Sequence, residues 1–251
     1  MRRFFISQEQ RNQAERGSVV LTGSDVNHII NVLRMGVGDT ILLSATSGEE
    51  FECEIAKIGN QSVACTVLRT AMNCTEPTVQ VTLLQGIPKG EKMELIIQKS
   101  VELGVARIVP VQMERTVVKF HTTQDALKKQ ARWQKISDEA SKQCGRGFCP
   151  KIAQVQTLQQ ALLEVPSGTL ALVAYENETV FSLKRRVQEA IALGSVHHIA
   201  VLIGPEGGIA PAEYESACGA GFLSVSLGKR ILRTETAGIC VLSALRYEFE
   251  D

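Results

Sequence analysis

The chain has 251 residues and carries 27 basic and 27 acidic side chains, so its formal net charge is zero. This length is sufficient for one large domain or two smaller ones. The balanced charge excludes a general attraction to nucleic acid or to acidic membranes, so any RNA binding has to come from a local basic patch. No stretch approaches the apolar length of a membrane span, and residues 1–5 are followed by polar residues rather than by the core of a signal peptide. We therefore expect a cytoplasmic protein with no membrane partner.

The first third of the chain predicts a small β-barrel. Strands are expected at residues 18–21, 41–44, 51–58 and 62–68, and apolar and polar residues alternate in the last two. Ser24 or Asp25 can cap one helix that runs to about Leu33, and a turn follows at residues 36–39. Several short strands within about seventy residues are typical of a small barrel. The pattern weakens after residue 72, so we expect one domain at 1–72 and a second at 73–251.

In the second domain, strands and helices alternate. Strands are expected at residues 79–86, 107–111, 169–174, 199–203 and 223–227, and helices at 91–103, 124–143, 211–220 and 236–249. The strands are short apolar runs, which favours a mostly parallel sheet covered on both faces. The predicted fold class is therefore α/β, with a small barrel in front of the larger domain.

Two segments of the second domain predict a ligand site. Residues 202–208 read LIGPEGG and residues 227–236 read LGKRILRTET. Each is expected to follow a buried strand, and loops at the carboxyl ends of neighbouring strands form ligand sites in open α/β sheets. The glycines let backbone groups approach a ligand closely. Glu206 disfavours a pyrophosphate and is easier to reconcile with a cationic or amine-bearing ligand.

The second of these loops is unusually basic. Lys229, Arg230 and Arg233 are close together in it, and like charges so close repel each other unless they meet an anion. Arg233 could hold a phosphate or a substrate carbonyl through two hydrogen bonds. Glu235 could orient Arg233, accept a proton, or only interact with the dipole of the last helix. We interpret the loop as functional.

Other basic residues are candidates for contacts with phosphate. The helix expected at 124–143 carries Lys128, Arg132, Lys135, Glu139 and Lys142 at helical spacing, and Arg146 follows it. That face is either solvated or contacts phosphates, and the two interpretations are about equally supported. Lys89 follows a predicted strand and could line the same cleft or lie in a solvated turn. Arg34 could contact RNA from the barrel.

Several common kinds of site are not indicated. The seven cysteines and four histidines lack the spacing of a metal site, and we expect reduced thiols and no metal. The Gly-X-Ser-X-Gly motif of many hydrolases is missing from the sequence. So is Gly-X-Gly-X-X-Gly in the first βα turn, which leaves a nucleotide-dependent Rossmann enzyme as a distant alternative.

Three motifs resemble those of the bacterial RsmE family, whose members are small-subunit ribosomal RNA uridine-N3 methyltransferases. They are residues 98–105 (QKSVELGV), 203–208 (IGPEGG) and 227–237 (LGKRILRTETA). Their order matches that of the family, and the resemblance covers essentially the whole chain. It implies a PUA-like barrel for RNA, a C-terminal SPOUT domain with a trefoil knot, a homodimer, and S-adenosylmethionine as cofactor. The hydrophobic pattern alone does not predict a knot, because knotted chains are rare.

Roles can be assigned to individual residues, the cofactor contacts from the resemblance and the RNA contacts mainly from the basic residues described above. The residues implied to bind the cofactor are Ala174, Tyr175, Glu176, Leu202, Ile203, Gly204, Glu206, Gly207, Gly208, Leu227, Gly228, Ile231 and Leu232. Those expected to contact RNA are Arg34, Lys89, Lys128, Arg132, Lys135, Arg146 and Lys229. Methylation of uridine N3 requires loss of its proton, and our hypothesis assigns stabilisation of the resulting charge to Arg233, supported by Arg230. Glu235 is the weaker candidate for the proton acceptor.

Two further alternatives stay open at this point. One is a SPOUT methyltransferase that acts on another base, ribose or RNA. The other is a non-catalytic RNA-binding protein of ribosome assembly. In each case the partner is ribosomal RNA, the small ribosomal subunit or another RNA.

Overall fold

The computed structural model describes residues 1–120 and 122–250, so His121 and Asp251 lie outside the described residues. The chain divides into two compact units. The first contains Met1–Glu76 and Ser141–Cys149, and the second contains Pro77–Ala140 and Pro150–Asp251. The domain limit that the sequence suggests after residue 72 stays a prediction.

The first unit is built on a curled sheet of five strands. These are β1 (Arg2–Ile6), β2 (Ser18–Thr22), β3 (Thr40–Ala45), β4 (Glu49–Ile58) and β5 (Ser62–Met72). Their order is β1-β3-β4-β5-β2, and all pairs are antiparallel except β1 with β3. Phe51, Cys53 and Ile55 alternate with acidic residues along β4 and point into the core. The expected strands are confirmed, and the alternation that predicted them places their apolar side chains in one buried cluster.

Part of the first unit differs from the sequence prediction, which placed one helix there and assigned nothing before residue 18. Strand β1 was overlooked although residues 4–6 are apolar. Helix α1 (Gln8–Ala14) was not predicted because it buries only Ala14 and has no apolar face to detect. The expected helix exists as α2 (Ser24–Asn27), which continues as a π-helical turn (His28–Val32). The prediction of Ser24 or Asp25 as its cap was wrong, since Gly23 occupies that position and makes no side-chain hydrogen bond.

The second unit contains a parallel sheet of seven strands. These are β6 (Gln80–Gly86), β7 (Arg107–Gln112), β8 (Lys151–Ile152), β9 (Gln156–Thr157), β10 (Leu170–Ala174), β11 (His198–Ile203) and β12 (Leu223–Val225). Their order is β12-β10-β11-β6-β7-β8, and β9 pairs with β7. Every pair is parallel. The central strands are buried along almost their whole length, as expected for a sheet covered on both faces.

Among the described residues, six helices follow β6 along the chain, and the end of the second of them belongs to the first unit. They are α3 (Lys92–Glu102), α4 (Thr123–Cys144), α5 (Leu158–Leu163), α6 (Leu183–Leu193), α7 (Pro211–Gly219) and α8 (Thr234–Phe249). The four expected helices are confirmed as α3, α4, α7 and α8, while α5, α6, β8 and β9 were missed. Helix α6 carries Leu183, Val187 and Ile191 at helical spacing, an amphipathic pattern that was overlooked. Among the helices of the described residues, none has the length and hydrophobicity of a membrane span.

The mixed α/β class is therefore confirmed, with a parallel sheet in the second unit of the kind found in SPOUT domains. The trefoil knot stays a prediction. For the site, the important feature is the strand order, because β10 lies between β12 and β11. The two loops of the sequence motifs were expected on neighbouring strands, and this was wrong. A third loop, which follows β10, lies between them.

Candidate functional site

A cavity of about 510 Å³ opens where β10, β11 and β12 end. Its lining comes from the loops that follow these three strands, with Lys92 from α3 and Thr234 and Ala237 from α8. A cavity of this size suits a small-molecule ligand, and the carboxyl ends of parallel strands are where such sites usually occur. We call residues 204–208 the glycine loop and residues 227–233 the arginine loop.

The structure brings nearly all residues of the predicted cofactor site together. Each of them lines the cavity except Leu202, which is fully buried in the core beneath it. Arg230, Arg233 and Lys229 also line the cavity. Glu235 lies in the first turn of α8 and does not line the cavity, but it pairs with Lys92, which does. The three loops therefore converge on one cavity, although the role of each residue stays a prediction.

The glycine loop is held in place by hydrogen bonds from several directions. The hydroxyl of Thr234 donates to the carbonyl of Gly204 at 2.7 Å, and the guanidinium of Arg115 donates to the carbonyl of Gly207 at 2.9 Å. Gly208 has φ of +74°, a conformation that side chains with a Cβ rarely adopt. A Cβ on Gly204 would lie 2.8 Å from Cγ1 of Ile209. Glycine at these positions is therefore required by the shape of the loop.

Two carboxylates and one ammonium group form a network at the edge of the cavity. Nζ of Lys92 lies 3.1 Å from Oε1 of Glu206 and 3.3 Å from Oε2 of Glu235. The backbone amide of Lys89 donates to both oxygens of Glu206, at 3.1 and 3.3 Å. The charge of Glu206 is thus compensated within the protein. Its assignment to a cationic ligand stays a prediction, and Glu176 is the carboxylate of the cavity that makes no such pair among the described residues.

The network shifts the pKa values of two of its members. Hydrogen bonding to Glu206 raises the pKa of Lys92 above its ordinary value. Burial is the largest single influence on Glu206 and acts to raise its pKa. Hydrogen bonds from its own amide, from the Lys89 amide and from Lys92 together outweigh burial, and the pKa of Glu206 is lowered. Both groups are therefore charged at neutral pH, and each stabilises the charge of the other.

The arginine loop is different, because its basic side chains are exposed. Lys229, Arg230 and Arg233 all face solvent at the cavity, and Ile231 between them is 88% exposed. None of these cations forms an ion pair within residues 1–120 and 122–250. Arg233 begins α8, and its carbonyl accepts the amides of Thr236 and Ala237 at 2.8 and 2.9 Å. Its position is therefore fixed by the helix while its guanidinium is available to a ligand.

The other predicted RNA contacts do not line the cavity. Lys89 is exposed and takes part in the site only through its backbone amide. Lys128, Arg132 and Lys135 are exposed on α4, and Arg132 pairs with Glu94 at 2.7 Å. These residues lie on an accessible face of the second unit, and their contact with RNA stays a prediction.

The first unit contains two further residues that the sequence suggested for RNA binding. Arg34 is exposed and has φ of +54°, the one positive φ among the described residues other than glycine. Such backbone strain is more frequent at functional positions. Arg146 is only 4% exposed and its guanidinium binds the carboxylate of Glu76 at 2.6 Å. Arg146 therefore has a structural contact in this unit, and its proposed contact with RNA remains untested.

Sequence reasoning missed several residues of the cavity, and Lys92 is the most consequential. The segment from Pro88 to Lys92 contains two lysines, and Lys89 was chosen because it follows the strand. The first turn of α3 instead directs Lys92 into the cavity. Thr234 was also missed, and its hydroxyl donates to the carbonyl of Gly204. Tyr175 was predicted as a cofactor contact, and the structure adds that its ring stacks on that of Tyr214 at 4.0 Å. Among the described residues, no group of three His, Cys, Asp or Glu side chains is arranged to hold a metal.

The fold is that of an RNA methyltransferase. A family model for the RNA methyltransferase domain matches residues 75–246, and one for the RNA methyltransferase PUA domain matches residues 21–68. The chain is also 36% identical to the ribosomal RNA small subunit methyltransferase E of Bacillus subtilis, over 100% of this chain and 98% of that protein. The chain therefore belongs to the ribosomal RNA small subunit methyltransferase E family, and the resemblance to RsmE proteins is confirmed.

Solved structures give the same result. The chain is similar to ribosomal RNA small subunit methyltransferase E from Neisseria gonorrhoeae bound to S-adenosylmethionine, with 32% identity and a TM-score of 0.85 over 99% of this chain and 98% of that one. It is also similar to a methyltransferase from Legionella pneumophila in complex with the same cofactor. That match has 34% identity and a TM-score of 0.82 over 92% of this chain and 93% of that one.

Proposed function

We propose that the protein transfers a methyl group from S-adenosylmethionine to N3 of a specific uridine in 16S ribosomal RNA. The observation that carries the proposal is the cavity at the ends of β10, β11 and β12, in a chain of this family. It places a rigid glycine loop beside a loop of exposed cations. The first suits the cofactor, and the second suits an RNA base that gains negative charge. The cofactor-bound structures of the relatives support the choice of methyl donor.

The residues of the cavity fit S-adenosylmethionine. Ile203, Leu227, Ile231 and Leu232 provide apolar surface for an adenine ring, and the backbone groups of the loops provide hydrogen bonds. Glu176 provides a carboxylate near the glycine loop, where a positively charged ligand gains from it. When bound, the cofactor supplies an electrophilic methyl group. No metal ion is required by this chemistry.

Arg233 and Arg230 stabilise the RNA base while it loses its N3 proton. If the pKa of that proton lies two to three units above neutrality, deprotonation costs roughly 3 to 4 kcal/mol. A guanidinium that donates to O2 or O4 of the base lowers this cost, because it holds the developing negative charge. The ion pair of Glu235 with Lys92 supports a role for Glu235 in positioning. We keep it as the weaker candidate for the proton acceptor.

Replacement of one arginine tests the mechanism. Arg233→Ala is expected to lower methylation of 16S RNA roughly 100-fold or more, while calorimetry shows almost unchanged affinity for S-adenosylmethionine. Arg246→Ala is the matched control, because Arg246 lies on the same helix and pairs with Glu250 at 2.8 Å. Unchanged methylation by Arg233→Ala would contradict the assignment. Mass spectrometry of 16S RNA from a strain without the protein identifies the methylated nucleotide.

The RNA surface is the second part of the proposal. We assign phosphate contacts to Lys128, Arg132 and Lys135 on α4, and further RNA contacts to Arg34, Lys89, Arg146 and Lys229. The exposure of the three residues on α4 supports this assignment. Their combined replacement by Ala is expected to weaken RNA binding and to reduce the slope of log affinity against log salt by about 0.7 to 0.9 per lost phosphate contact. An unaltered slope would refute it.

The quaternary state, the knot and the location rest on family membership. We propose a homodimer with a knotted C-terminal domain that acts in the cytoplasm on ribosomal RNA or the small subunit. Ile231 and Tyr247 are 88% and 87% exposed, and coverage by a second copy would bury such apolar surface. Light scattering is expected to give the mass of two chains, and a monomer at micromolar concentration would contradict the dimer.

A further inference from the structure

Lys92 makes two ion pairs, and the proposed mechanism uses one of them only as support for the position of Glu235. Its Nζ lies 3.1 Å from an oxygen of Glu206 and 3.3 Å from an oxygen of Glu235. Glu206 belongs to the glycine loop, and Glu235 belongs to the first turn of α8, two residues after Arg233. One ammonium group therefore connects α3, the glycine loop and the helix that carries Arg233.

The three side chains differ in their exposure to solvent, and Glu235 is the most buried of them. The exposed fraction of the side chain is 34% for Lys92, 25% for Glu206 and 14% for Glu235. Oε2 of Glu235 is buried, and among the described residues the ion pair with Lys92 is the contact that the structure gives it. Lys92 is thus the group that compensates its charge. Removal of Lys92 would leave the carboxylate of Glu235, the most buried of the three, without its compensating cation, which is unfavourable.

Lys92 also keeps two like charges close to each other. The two carboxylate oxygens lie within 3.3 Å of the same nitrogen, so without the ammonium group they would repel across a short distance. The amide of Lys89 holds Glu206 on the other side, which limits how far that carboxylate can move. The repulsion would therefore displace the glycine loop, the start of α8, or both.

We propose that Lys92 is a positioning residue of the methyltransferase site, which sets the separation between the glycine loop and Arg233 by neutralising Glu206 and Glu235 together. The proposal rests on the proposed function, because it takes these two elements to hold the cofactor and the RNA base. Lys92 itself lines the cavity, so direct contact with a ligand is the competing role. The two roles differ in how they respond to removal of a carboxylate.

The test compares Lys92→Met, Glu206→Gln and the double variant, using calorimetry with S-adenosylmethionine and single-turnover methylation of 16S RNA. Lys92→Met is expected to weaken cofactor binding about tenfold. The double variant is expected to recover at least threefold of this loss, because the glutamine introduced by Glu206→Gln still accepts the Lys89 amide but carries no charge to repel Glu235. Lys92→Arg, which keeps the charge, is expected to recover part of the loss as well. A double variant no better than Lys92→Met would overturn the proposal and indicate direct ligand contact.

Lys99→Met is the matched control, since Lys99 lies on the same helix and pairs with Glu102 at 2.8 Å outside the cavity. It is expected to leave cofactor affinity unchanged, because exposed pairs of this kind contribute little. If the wild-type protein is active and Lys92→Met binds and methylates normally, the proposed role of Lys92 is wrong and the proposed function stands. A wild-type protein that binds no S-adenosylmethionine would overturn the proposed function itself. Melting temperatures separate a local change at the site from a loss of folding.

Discussion

The glycine loop and the arginine loop border the same cavity, but they differ in how their polar groups are bonded. In the glycine loop, the carbonyls of Gly204 and Gly207 accept side-chain donors, and Glu206 is bound by Lys89 and Lys92. In the arginine loop, three cations form no ion pair among the described residues. A loop whose groups are already satisfied loses little freedom when a ligand binds. The unpaired cations of the other loop are available for an anionic base or phosphate.

The largest effect is expected from a substitution that disturbs the backbone beneath the glycine loop, because that loop is the more rigid of the two. A Cβ on Gly86, at the end of β6, would lie 2.6 Å from both Cδ and the backbone nitrogen of Pro205. Because backbone atoms cannot rotate away, Gly86→Ala is expected to destabilise the protein by about 1 to 3 kcal/mol and to displace the loop. Cofactor affinity measured by calorimetry should fall more than tenfold.

Gly219→Ala is the matched control for this change. A Cβ on Gly219 meets nothing within 4 Å and its φ is not positive, so stability should be unchanged or slightly higher. Normal cofactor affinity in Gly86→Ala would show that the glycine loop adapts, and the contrast between a rigid and an open loop would then be wrong.

A smaller change removes one tie of the glycine loop without adding an atom. Gln85, which is fully buried, donates to the hydroxyl of Thr234 at 2.9 Å, and that hydroxyl donates to the carbonyl of Gly204 at 2.7 Å. Thr234→Val keeps the shape but leaves the Gly204 carbonyl without this donor. We expect a loss of about 1 to 2 kcal/mol in denaturant unfolding. Thr234→Ser keeps the hydroxyl and should recover most of it, and equal losses in both variants would point to packing as the cause.

The same contrast explains how much of the site could be predicted from the sequence. The glycine loop was recognisable because glycine, proline and an apolar strand occur together in residues 199–208. The cations of the arginine loop were recognisable because three of them lie close together. Local patterns of this kind also predicted most strands, since burial on one or both faces is visible as alternation or as an apolar run.

The contacts that join these loops could not be predicted, because they depend on strand order and helix phase. The position of β10 between β12 and β11 is a tertiary feature, so the third loop with Tyr175 and Glu176 was known only from the family resemblance. The choice between Lys89 and Lys92 depended on where α3 begins. Helix α5 did carry a local signal, a capping box of Thr157 and Gln160, which was overlooked.

The smallest expected effect is a change in cofactor affinity, and it concerns which carboxylate interacts with the positive charge of the cofactor. Glu206 is neutralised by Lys92, whereas Glu176 is exposed, lines the cavity and forms no ion pair within the described chain. S-adenosylmethionine and S-adenosylhomocysteine differ by one methyl group and one positive charge on sulfur. Glu176→Gln is therefore expected to weaken binding of the charged cofactor roughly fivefold, and that of the neutral product much less.

The ratio of the affinities for S-adenosylmethionine and S-adenosylhomocysteine reports the effect of the charge on sulfur. A change in the shape of the cavity affects both ligands and cancels in the ratio. Glu206→Gln serves as the control, and its ratio should stay near that of the wild-type protein since Lys92 already compensates the charge of Glu206. A ratio that changes in Glu206→Gln and not in Glu176→Gln would show that the ion pair opens when the cofactor binds. In that case the glycine loop would resemble the arginine loop, with a charge released to the ligand rather than held by the protein.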